Sequence, residues 1–246
     1  GDFMLDEHIY GAAERLSPDA PVPVLHARSR DERPGGAANV ARCLRALRAE
    51  VACIGVVGGD AEGGRLRDAI AAEGCDVRGM VEAPERPTTV KRSLVGLAQH
   101  RHPQKMFRLD FETTDPLPAE VVRALRSAID AALPEADVVC IEDYGKGVCT
   151  PELCRFIIDR ARAHGTPVLV DPANLDDYGR YRGATVLTPN RTEAERASGL
   201  AAPAEPDFEH YAALARNLHA DLELDVLILT LDRHGAMLLE AEADPR

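Results

Sequence analysis

Short apolar runs alternate with amphipathic stretches along most of this chain, and this alternation restricts the available folds more than any other feature. Each run is rich in β-branched residues and too short for a helix, as expected of strands buried on both faces of a parallel sheet. The runs are VACIGVVG (51–58), ADVVCIED (136–143), PVLVDP (167–172), ATVLTPN (184–190) and DVLILTL (225–231). Helical patterns lie between them, at 37–48, 61–73, 118–132, 150–164, 191–199 and 207–220. The alternation predicts an α/β fold with a doubly wound, mostly parallel sheet flanked by helices.

The composition excludes several classes of protein. With 45% hydrophobic residues among 246, the chain can bury a full core, which excludes a disordered chain. Its formal charge of -12 would repel a nucleic acid, and no apolar stretch reaches the roughly 20 residues of a membrane span. From this charge and this apolar pattern, we expect no nucleic-acid or membrane partner. The six cysteines form no C-x-x-C pair, so we expect a cytoplasmic protein. Because the sequence starts without an initiator methionine, we also expect it to be part of a longer protein.

Two segments follow a different pattern. Residues 20–28 and 88–109 alternate apolar with polar side chains, the second around a polar tip at 99–104, which is typical of strands with one solvated face. We expect a small β-sheet lid, formed by segments at about 9–30 and 88–111 of a single domain that covers the chain. Such a sheet can close over a ligand, or it can be a decoration or a dimer contact, and these interpretations are compatible.

Polar residues follow the predicted strands. Ligands of open parallel sheets bind outside the carboxyl ends of the strands, so a set of polar residues at these ends predicts a binding site. A single polar residue there is ordinary turn chemistry, whereas several at one edge favour a site. The residues are Gly59-Asp60, Asp143 to Gly147, Asp171-Pro172, Thr188 to Asn190 and Thr230, with Gly1-Asp2 in the same role if a strand precedes it.

The glycine pair in RPGGAANV (33–40) directly precedes a helical pattern. Backbone N–H groups at a helix N-terminus commonly bind phosphate. However, Gly35-Gly36 fits neither the G-x-G-x-x-G spacing of a dinucleotide loop nor the G-x-x-x-x-G-K-[ST] spacing of a P-loop. The local pattern alone therefore leaves open which ligand Asn39 contacts.

Several motifs together resemble those of the ribokinase-like (PfkB) carbohydrate kinases, and they cover nearly the whole chain. They are the opening Gly-Asp, GGAAN (35–39), VVGGDAEGG (56–64) and TPNRTEAE (188–195). Further segments resemble the branch of the family that acts on D-glycero-D-manno-heptose 7-phosphate. These are GDFMLDEHIYG, RLSPDAPVPV, ERPGGAANVA, KMFRLDFE, EDYGKG and DPANLDDYGRYRGATVLTPNRTE. The resemblance implies transfer of the ATP γ-phosphate to the C1 hydroxyl of this lipopolysaccharide precursor, with the small sheet as substrate lid and often as a homodimer interface.

The resemblance assigns the sugar hydroxyls to Asp2 and Asn39. A carboxylate can accept hydrogen bonds from two neighbouring hydroxyls, whereas an amide both donates and accepts, so the pair can recognise sugar stereochemistry. Gly35 and Gly36 would then let the sugar approach the backbone. The alternative for Asn39 is a helix cap or an ordinary polar surface residue.

A substrate that already carries a phosphate also needs cations. Lys91, Arg92, Arg108 and Lys146 lie on or beside the predicted lid and strand ends. Because neighbouring residues of a strand point to opposite faces, at most one of Lys91 and Arg92 faces the ligand. We predict that Lys91, Arg108 and Lys146 bind the substrate, and the alternative for each is a solvated surface position.

Asn190 and Glu193 match the N-x-x-E motif of the family. At positions i and i+3 of a first helical turn, the two side chains lie on one face and can hold Mg²⁺, through water, against the phosphates of ATP. Negative charge at a helix N-terminus is also an ordinary stabilising device. Thr230 and Gly235 resemble the start of the nucleotide site.

The catalytic aspartate of the family lies in a Gly-x-Gly-Asp helix start, which does not occur in these 246 residues. Gly58-Gly59-Asp60 is similar but belongs to a segment that matches a different family motif, so we do not assign the base to it. Asp143 and Asp171 either line the cleft near the transferred phosphoryl group or cap the following turns. We expect little phosphate transfer by this chain alone. The alternatives are a catalytically silent sugar-phosphate-binding module and a PfkB kinase for another sugar.

Overall fold

The computed structural model describes residues 1–97, 102–200, 203 and 206–240. The chain divides into two compact units, each described by itself below. One unit is Phe3–Thr114, and the other consists of Gly1–Asp2 with Asp115–Arg246. The predicted polar tip at 99–104 lies partly outside the described residues.

The unit Phe3–Thr114 contains six strands and two helices within its described residues. They are β1 (Phe3–Leu16), β2 (Pro23–Gly36), α1 (Ala37–Ala46), β3 (Ala52–Gly58), α2 (Ala61–Ala72), β4 (Asp76–Ala83), β5 (Val90–Gly96) and β6 (Gln104–Phe111). Four strands form a sheet in the order β2-β1-β5-β6, in which only the β1–β5 pair is parallel. The predicted separate sheet is therefore confirmed, but its first strand starts at Phe3 rather than near residue 9. Its function as a lid stays a prediction.

One element of this unit differs from the prediction. The run 51–58 forms β3, which pairs in parallel only with β4 in a two-stranded sheet, within the described residues. It packs in a core shared with α1 and α2, in which Cys53, Leu66 and Ile70 are buried. Strand β4 was not predicted, because Arg78, Gly79 and Glu82 interrupt its apolar pattern.

The second unit contains the predicted α/β layer. Its elements are α3 (Ala119–Ala132), β7 (Val139–Glu142), α4 (Pro151–His164), β8 (Val168–Asp171), β9 (Val186–Leu187), α5 (Arg191–Ser198), α6 (Phe208–Leu222), β10 (Val226–Thr230) and β11 (Ala236–Glu240). The sheet has the order β11-β10-β9-β8-β7, with β7 to β10 parallel and β11 antiparallel. The buried residues of these strands, among them Val168, Leu187 and Leu229, lie on one face of the sheet, and the apolar residues of the other face are half-buried. The parallel pairing of β7 to β10 confirms the sheet predicted from the apolar runs, but the expected burial on both faces is not observed.

The helix boundaries follow from local signals. Helix α4 begins after Thr150, whose hydroxyl accepts the backbone N–H of Leu153 at 3.2 Å, with Pro151 at the first helical position. It ends at Gly165, where a φ of 74° favours glycine. In the part of the chain that the structure describes, no helix is both long and apolar enough to cross a membrane.

Candidate functional site

The carboxyl ends of the parallel strands carry the polar residues that the sequence singled out. Glu142 and Asp171 end β7 and β8 and stand opposite each other in register. Asn190 directly precedes α5 and forms a bridge with Thr230 at the end of β10. Because parallel strands end at one edge, the structure brings these side chains together along the edge predicted to bind a ligand.

Carboxylates at this edge are held in an unfavourable electrostatic environment. Burial, and then the negative charge of Asp171, raise the pKa of Glu142 to about 7. Burial, and then the charge of Asp143, raise the pKa of Asp171. Burial also raises the pKa of Glu193, to which Asp171 adds. A cation at this edge would relieve the repulsion, so the carboxylates present fit a divalent metal bound against nucleotide phosphates.

Asn190 and Glu193 form a capping box at the start of α5. The Asn190 side chain accepts the backbone N–H of Glu193 at 3.0 Å, and the Glu193 carboxylate accepts the backbone N–H of Asn190 at 2.8 Å. The helix-stabilising interpretation is therefore observed. One oxygen of Glu193 remains outside this pair of bonds, so the predicted metal role stays a prediction.

Asp143 is buried at the start of the loop between β7 and α4. One carboxylate oxygen accepts the backbone N–H of Gly145 at 2.8 Å, and the other accepts the Tyr181 hydroxyl at 2.7 Å and an Arg180 N–H at 3.3 Å. Burial raises the pKa of Asp143, and the bond from Tyr181 opposes the rise. Arg180 and Tyr181 lie in the segment DPANLDDYGRYRGATVLTPNRTE, which resembles the family, but sequence reasoning assigned no role to either residue.

Asp2 also belongs to this unit, and its side chain is only 1% exposed. Its carboxylate accepts backbone N–H groups from Tyr144 at 2.9 Å, Lys146 at 3.0 Å and Val148 at 3.3 Å. A carboxylate has about four acceptor positions, so these three donors leave about one for a ligand. Hydrogen bonds from two neighbouring sugar hydroxyls, as predicted, would therefore need more acceptor positions than Asp2 has left.

Thr230 and Gly235 flank the turn between β10 and β11. Thr230 is exposed at the end of its strand. Gly235 precedes β11 and has a φ of 92°, which residues other than glycine rarely adopt. Both positions are thus compatible with the predicted nucleotide contacts, which stay a prediction.

Asp143, Cys149 and Cys154 are buried, with donor atoms within 4.8 Å of one another. The two cysteines occupy the positions before and after the cap of α4 whose side chains commonly pack together as a hydrophobic staple. The Cys149 thiol donates to the carbonyl of Glu142 at 3.7 Å, and the Arg180 guanidinium already contacts Asp143. A metal ion would compete with this guanidinium, so we assign the cluster to packing.

In the unit Phe3–Thr114, the glycine pair lies where β2 joins α1. Gly36 is the N-cap of α1 with a φ of 55°, and Asn39 is exposed on the first turn of the helix. A Cβ on Gly35 would lie 2.4 Å from a carboxylate oxygen of Asp6. Gly35 therefore makes room for the Asp6 side chain. Its predicted role in letting a sugar approach the backbone stays a prediction.

Asp6 is the functional candidate that sequence reasoning missed. It stands opposite Lys91 across β1 and β5, and Lys91 stands opposite Asp110 on β6. Arg108 is opposite Ser93, two residues along β5 from Lys91, and therefore lies on the same face. We call this the Asp6 face of the sheet, defined by Asp6, Lys91, Arg108 and Asp110. Among the described residues, none donates a hydrogen bond to the Asp6 carboxylate.

Arg108 is held in place by Asp110. Two N–H groups of the guanidinium donate to the two carboxylate oxygens, both at 2.8 Å. This pairing, with smaller contributions from other acids that include Asp6, raises the pKa of Arg108. Arg108 thus lies on the same face as Lys91 with its guanidinium held by Asp110, and its binding of the substrate stays a prediction.

Arg92 points to the opposite side of the sheet, as the alternation predicted. It forms an ion pair with Glu7, which is 1% exposed and also pairs with Arg30. Its guanidinium lies over the ring of Phe111, 4.9 Å from the ring centroid. We call this the Glu7 face, defined by Glu7, Arg30, Arg92 and Phe111 together with Phe107 and Leu109.

Asp60 has a structural role in the same unit. Its carboxylate accepts the backbone N–H of Gly63 at 2.8 Å and caps α2. It also accepts the backbone N–H and the hydroxyl of Thr88, at 2.8 Å and 2.6 Å. These bonds agree with the decision not to assign the catalytic base to Gly58-Gly59-Asp60.

Comparison with known proteins identifies the family of this chain. The sequence matches the pfkB family of carbohydrate kinases over residues 8–244. It is 41% identical over 238 residues to the bifunctional protein HldE of Geotalea uraniireducens, covering 97% of this chain and 47% of that protein. It is also 41% identical over 238 residues to the D-beta-D-heptose 7-phosphate kinase of Bordetella bronchiseptica, covering 97% of this chain and 71% of that protein. The chain thus spans about half the length of the HldE relatives.

Solved structures share the fold. Phosphofructokinase-2 from Escherichia coli, determined with potassium, superimposes with a TM-score of 0.74 at 19% identity, over 98% of this chain and 74% of that one. Ribokinase from Arabidopsis thaliana, determined with ribose and ATP, superimposes with a TM-score of 0.71 at 17% identity, over 100% of this chain and 75% of that one. Together with the match over residues 8–244, these similarities show that the chain belongs to the pfkB family of carbohydrate kinases.

Proposed function

We propose that this chain is the sugar-binding and nucleotide-binding part of an ATP-dependent kinase that phosphorylates the C1 hydroxyl of D-glycero-D-manno-heptose 7-phosphate, a lipopolysaccharide precursor. The observation that carries the proposal is the Asp6 face, where a carboxylate lies beside Lys91 and Arg108. A carboxylate recognises sugar hydroxyls, and two cations recognise a phosphate, so this combination suits a sugar that already carries a phosphate. The names of the relatives support the choice of heptose 7-phosphate.

In this proposal, Asp6 and Asn39 bind the sugar hydroxyls. Asp6 replaces Asp2 in that role because its carboxylate accepts no hydrogen bond from the described residues, whereas three backbone donors engage Asp2. Gly35 is required so that the Asp6 side chain fits against the backbone, and Gly36 directs the chain into α1 beside Asn39.

Lys91 and Arg108 are proposed to bind the 7-phosphate. Lys146 is also proposed as a phosphate-binding cation. The bidentate contact with Asp110 fixes the Arg108 guanidinium in a plane. An incoming phosphate would bind the remaining N–H groups of a guanidinium that is already oriented, which lowers the entropic cost of binding.

For the nucleotide, we propose that Asn190 and Glu193 hold Mg²⁺ through water, and that Thr230 and Gly235 contact ATP. The raised pKa values of Asp171 and Glu193 support a cation at this edge. Asp143 is proposed to lie near the transferred phosphoryl group. Bound Mg²⁺ would neutralise charge on the phosphates during transfer.

We further propose that the four-stranded sheet is the substrate lid of a single kinase domain covering 1–246, and that it mediates a homodimer in the cytoplasm. On the Glu7 face, the edge strand β6 exposes Phe107 (64%), Leu109 (37%) and Phe111 (45%). Neighbouring exposed apolar side chains on one face of an edge strand favour burial against a second copy.

A second candidate is a sugar-phosphate-binding module without catalysis. This candidate concerns only what these 246 residues do by themselves, because they contain no Gly-x-Gly-Asp segment. Such a segment supplies both the proton acceptor and the N–H groups that stabilise the transferred phosphoryl group. Slow transfer by these residues alone therefore stays a prediction.

Calorimetric titration tests the substrate. We expect heptose 7-phosphate to bind at least about tenfold more tightly than ribose, which has hydroxyls but no phosphate for Lys91 and Arg108. Fructose 6-phosphate has both groups, so we expect weaker binding of it because its phosphate lies at a different distance from the hydroxyls that Asp6 would bind. Asp6→Asn should weaken this binding, whereas Asp68→Asn, on the exposed side of α2, should not change it. Tight ribose binding without binding of heptose 7-phosphate would contradict the proposal.

A further inference from the structure

The loop that follows β7 is organised around the carboxylate of Asp2. One oxygen of Asp2 accepts the N–H groups of Tyr144 and Lys146 at 2.9 Å and 3.0 Å, and the other accepts that of Val148 at 3.3 Å. Asp2 is joined to the end of β7 by a bond from its N–H to the carbonyl of Glu142 at 2.9 Å. Three donors from alternate residues of one loop therefore meet on a single buried carboxylate.

The backbone conformation explains why alternate N–H groups point the same way. Gly145 and Gly147 have φ values of 66° and 85°, so residues of left-handed conformation separate the three donors. Successive N–H groups in such an arrangement form an anion-binding concavity. Asp143 takes the intervening N–H of Gly145 at 2.8 Å. Two buried carboxylates of the chain itself thus fill the hydrogen-bonding capacity that a free loop of this kind would offer to an anion.

We propose that Asp2 is a positioning residue, which fixes the loop so that Lys146 is held in place to bind the phosphate of the sugar substrate. This inference rests on the proposed function, in which Lys146 is a phosphate-binding cation. It differs from direct sugar binding by Asp2, because Asp2 acts on the ligand only through the loop. The Lys146 backbone N–H bonds directly to Asp2, so the carboxylate controls the residue that carries the ammonium group.

An amide cannot replace this carboxylate. Asparagine has one acceptor oxygen and an NH₂ group, so Asp2→Asn would place N–H donors against at least one of the three backbone N–H groups. Buried donors without an acceptor destabilise the arrangement that contains them. The loop should therefore open locally in this variant.

Hydrogen exchange measured by NMR tests the positioning directly. In Asp2→Asn, we expect the amides of Tyr144, Lys146 and Val148 to exchange at least about tenfold faster, because their acceptor is lost. Amides of β8 and β9 should be unchanged and report whether the unit remains folded. Unchanged exchange at all three loop amides would overturn the proposal, whether or not the chain binds heptose 7-phosphate.

A double-mutant cycle tests the link to Lys146. We expect Asp2→Asn and Lys146→Met each to weaken binding of heptose 7-phosphate about tenfold, with little effect on unphosphorylated heptose. The double variant should bind no more weakly than Lys146→Met alone. Additive losses, or equal losses for both sugars, would instead show that Asp2 contacts the sugar and would overturn the proposal. Absence of heptose 7-phosphate binding by the unmodified chain would refute the proposed function and, with it, the phosphate-binding role of Lys146, while hydrogen exchange still decides the loop.

A second variant keeps the test valid if Asp2→Asn does not fold. Within the described ranges, the nearest atom to a Cβ on Gly145 would be in the Ala173 side chain, at 3.8 Å, so Gly145→Ala strains the loop through its φ of 66° without a clash with these residues. We expect this variant also to lose the preference for the phosphorylated sugar. Retention of that preference, with the loop amides exposed to exchange, would contradict the role of the loop.

Discussion

Two buried tyrosines allow a matched test of the network around Asp143. Tyr181 is 0% exposed and Tyr178 is 2% exposed, and their rings make an edge contact with centroids 5.3 Å apart. The Tyr181 hydroxyl donates to Asp143 at 2.7 Å and accepts the backbone N–H of Ala173 at 3.2 Å. Within the part of the chain that the structure describes, the Tyr178 hydroxyl has no hydrogen-bond partner.

We expect replacement by phenylalanine to affect the two positions differently. Tyr181→Phe removes a bond to a carboxylate and leaves the buried N–H of Ala173 without an acceptor, so the free energy of unfolding should fall by about 3 kcal/mol. Tyr178→Phe removes a buried hydroxyl that makes no bond, so the free energy of unfolding should stay the same or rise by up to about 1 kcal/mol.

Urea unfolding at pH 7, followed by circular dichroism, measures both changes if the m-values of the variants agree. Because each substitution deletes one oxygen from the same kind of ring, packing changes are matched. Equal destabilisation by the two substitutions, or a loss below roughly 1 kcal/mol for Tyr181→Phe, would refute the hydrogen-bond assignment.

Three further predictions follow from the contacts of single carboxylates. Asp60→Ala removes the acceptor of two backbone N–H groups and should destabilise by about 3 kcal/mol, with Asp68→Ala on the same helix as a neutral control. Burial alone would raise the pKa of Asp60, but its hydrogen bonds from Thr88 and Gly63 lower it. The stability that ionised Asp60 contributes should therefore be fully present above the pKa of the unfolded chain and be lost as the pH falls through the pKa of the folded chain. Folding raises the pKa of Glu142 to about 7, so its ionisation opposes folding above the pKa of the unfolded chain. Glu142→Gln should therefore raise the free energy of unfolding more at pH 8 than at pH 5, by no more than about 3 kcal/mol. An unchanged pH dependence of the urea midpoint would contradict this. Arg92→Met should destabilise by roughly 2 kcal/mol because it removes an ion-pair partner of buried Glu7, whereas Arg78→Met, at a side chain that is 91% exposed, should change thermal unfolding little.

The α/β layer was predictable because its signals are local. Its strands carry apolar residues on both faces and so produce continuous apolar runs, and Thr150-Pro151 marks the start of α4 within one residue of the prediction. The start of β1 was placed too late because the strand begins in the core and continues for 14 residues into a partly solvated sheet, so no single periodicity describes it. The type and the boundaries of a helix or strand were therefore predictable only where its solvent exposure follows one pattern along its whole length.

The sugar-binding candidates show what local patterns cannot reveal. The opposite faces of Lys91 and Arg92 followed from strand alternation and are confirmed by the register. Asp6 was missed because its importance depends on contacts with residues far along the chain, including Gly35, which is 29 positions away. The sequence marked Gly35 as unusual, but only the pairing of β1 with β2 shows that the Asp6 side chain is the reason.

The most direct test of the account maps the sugar phosphate onto the chain by NMR titration. If the Asp6 face binds heptose 7-phosphate, the amide signals around Asp6, Gly35, Lys91 and Arg108 should shift together with one dissociation constant, and Asp6→Asn should weaken that constant by at least about tenfold. A saturable titration that leaves these signals unchanged, or binding that is unaffected by Asp6→Asn, would contradict the central claim.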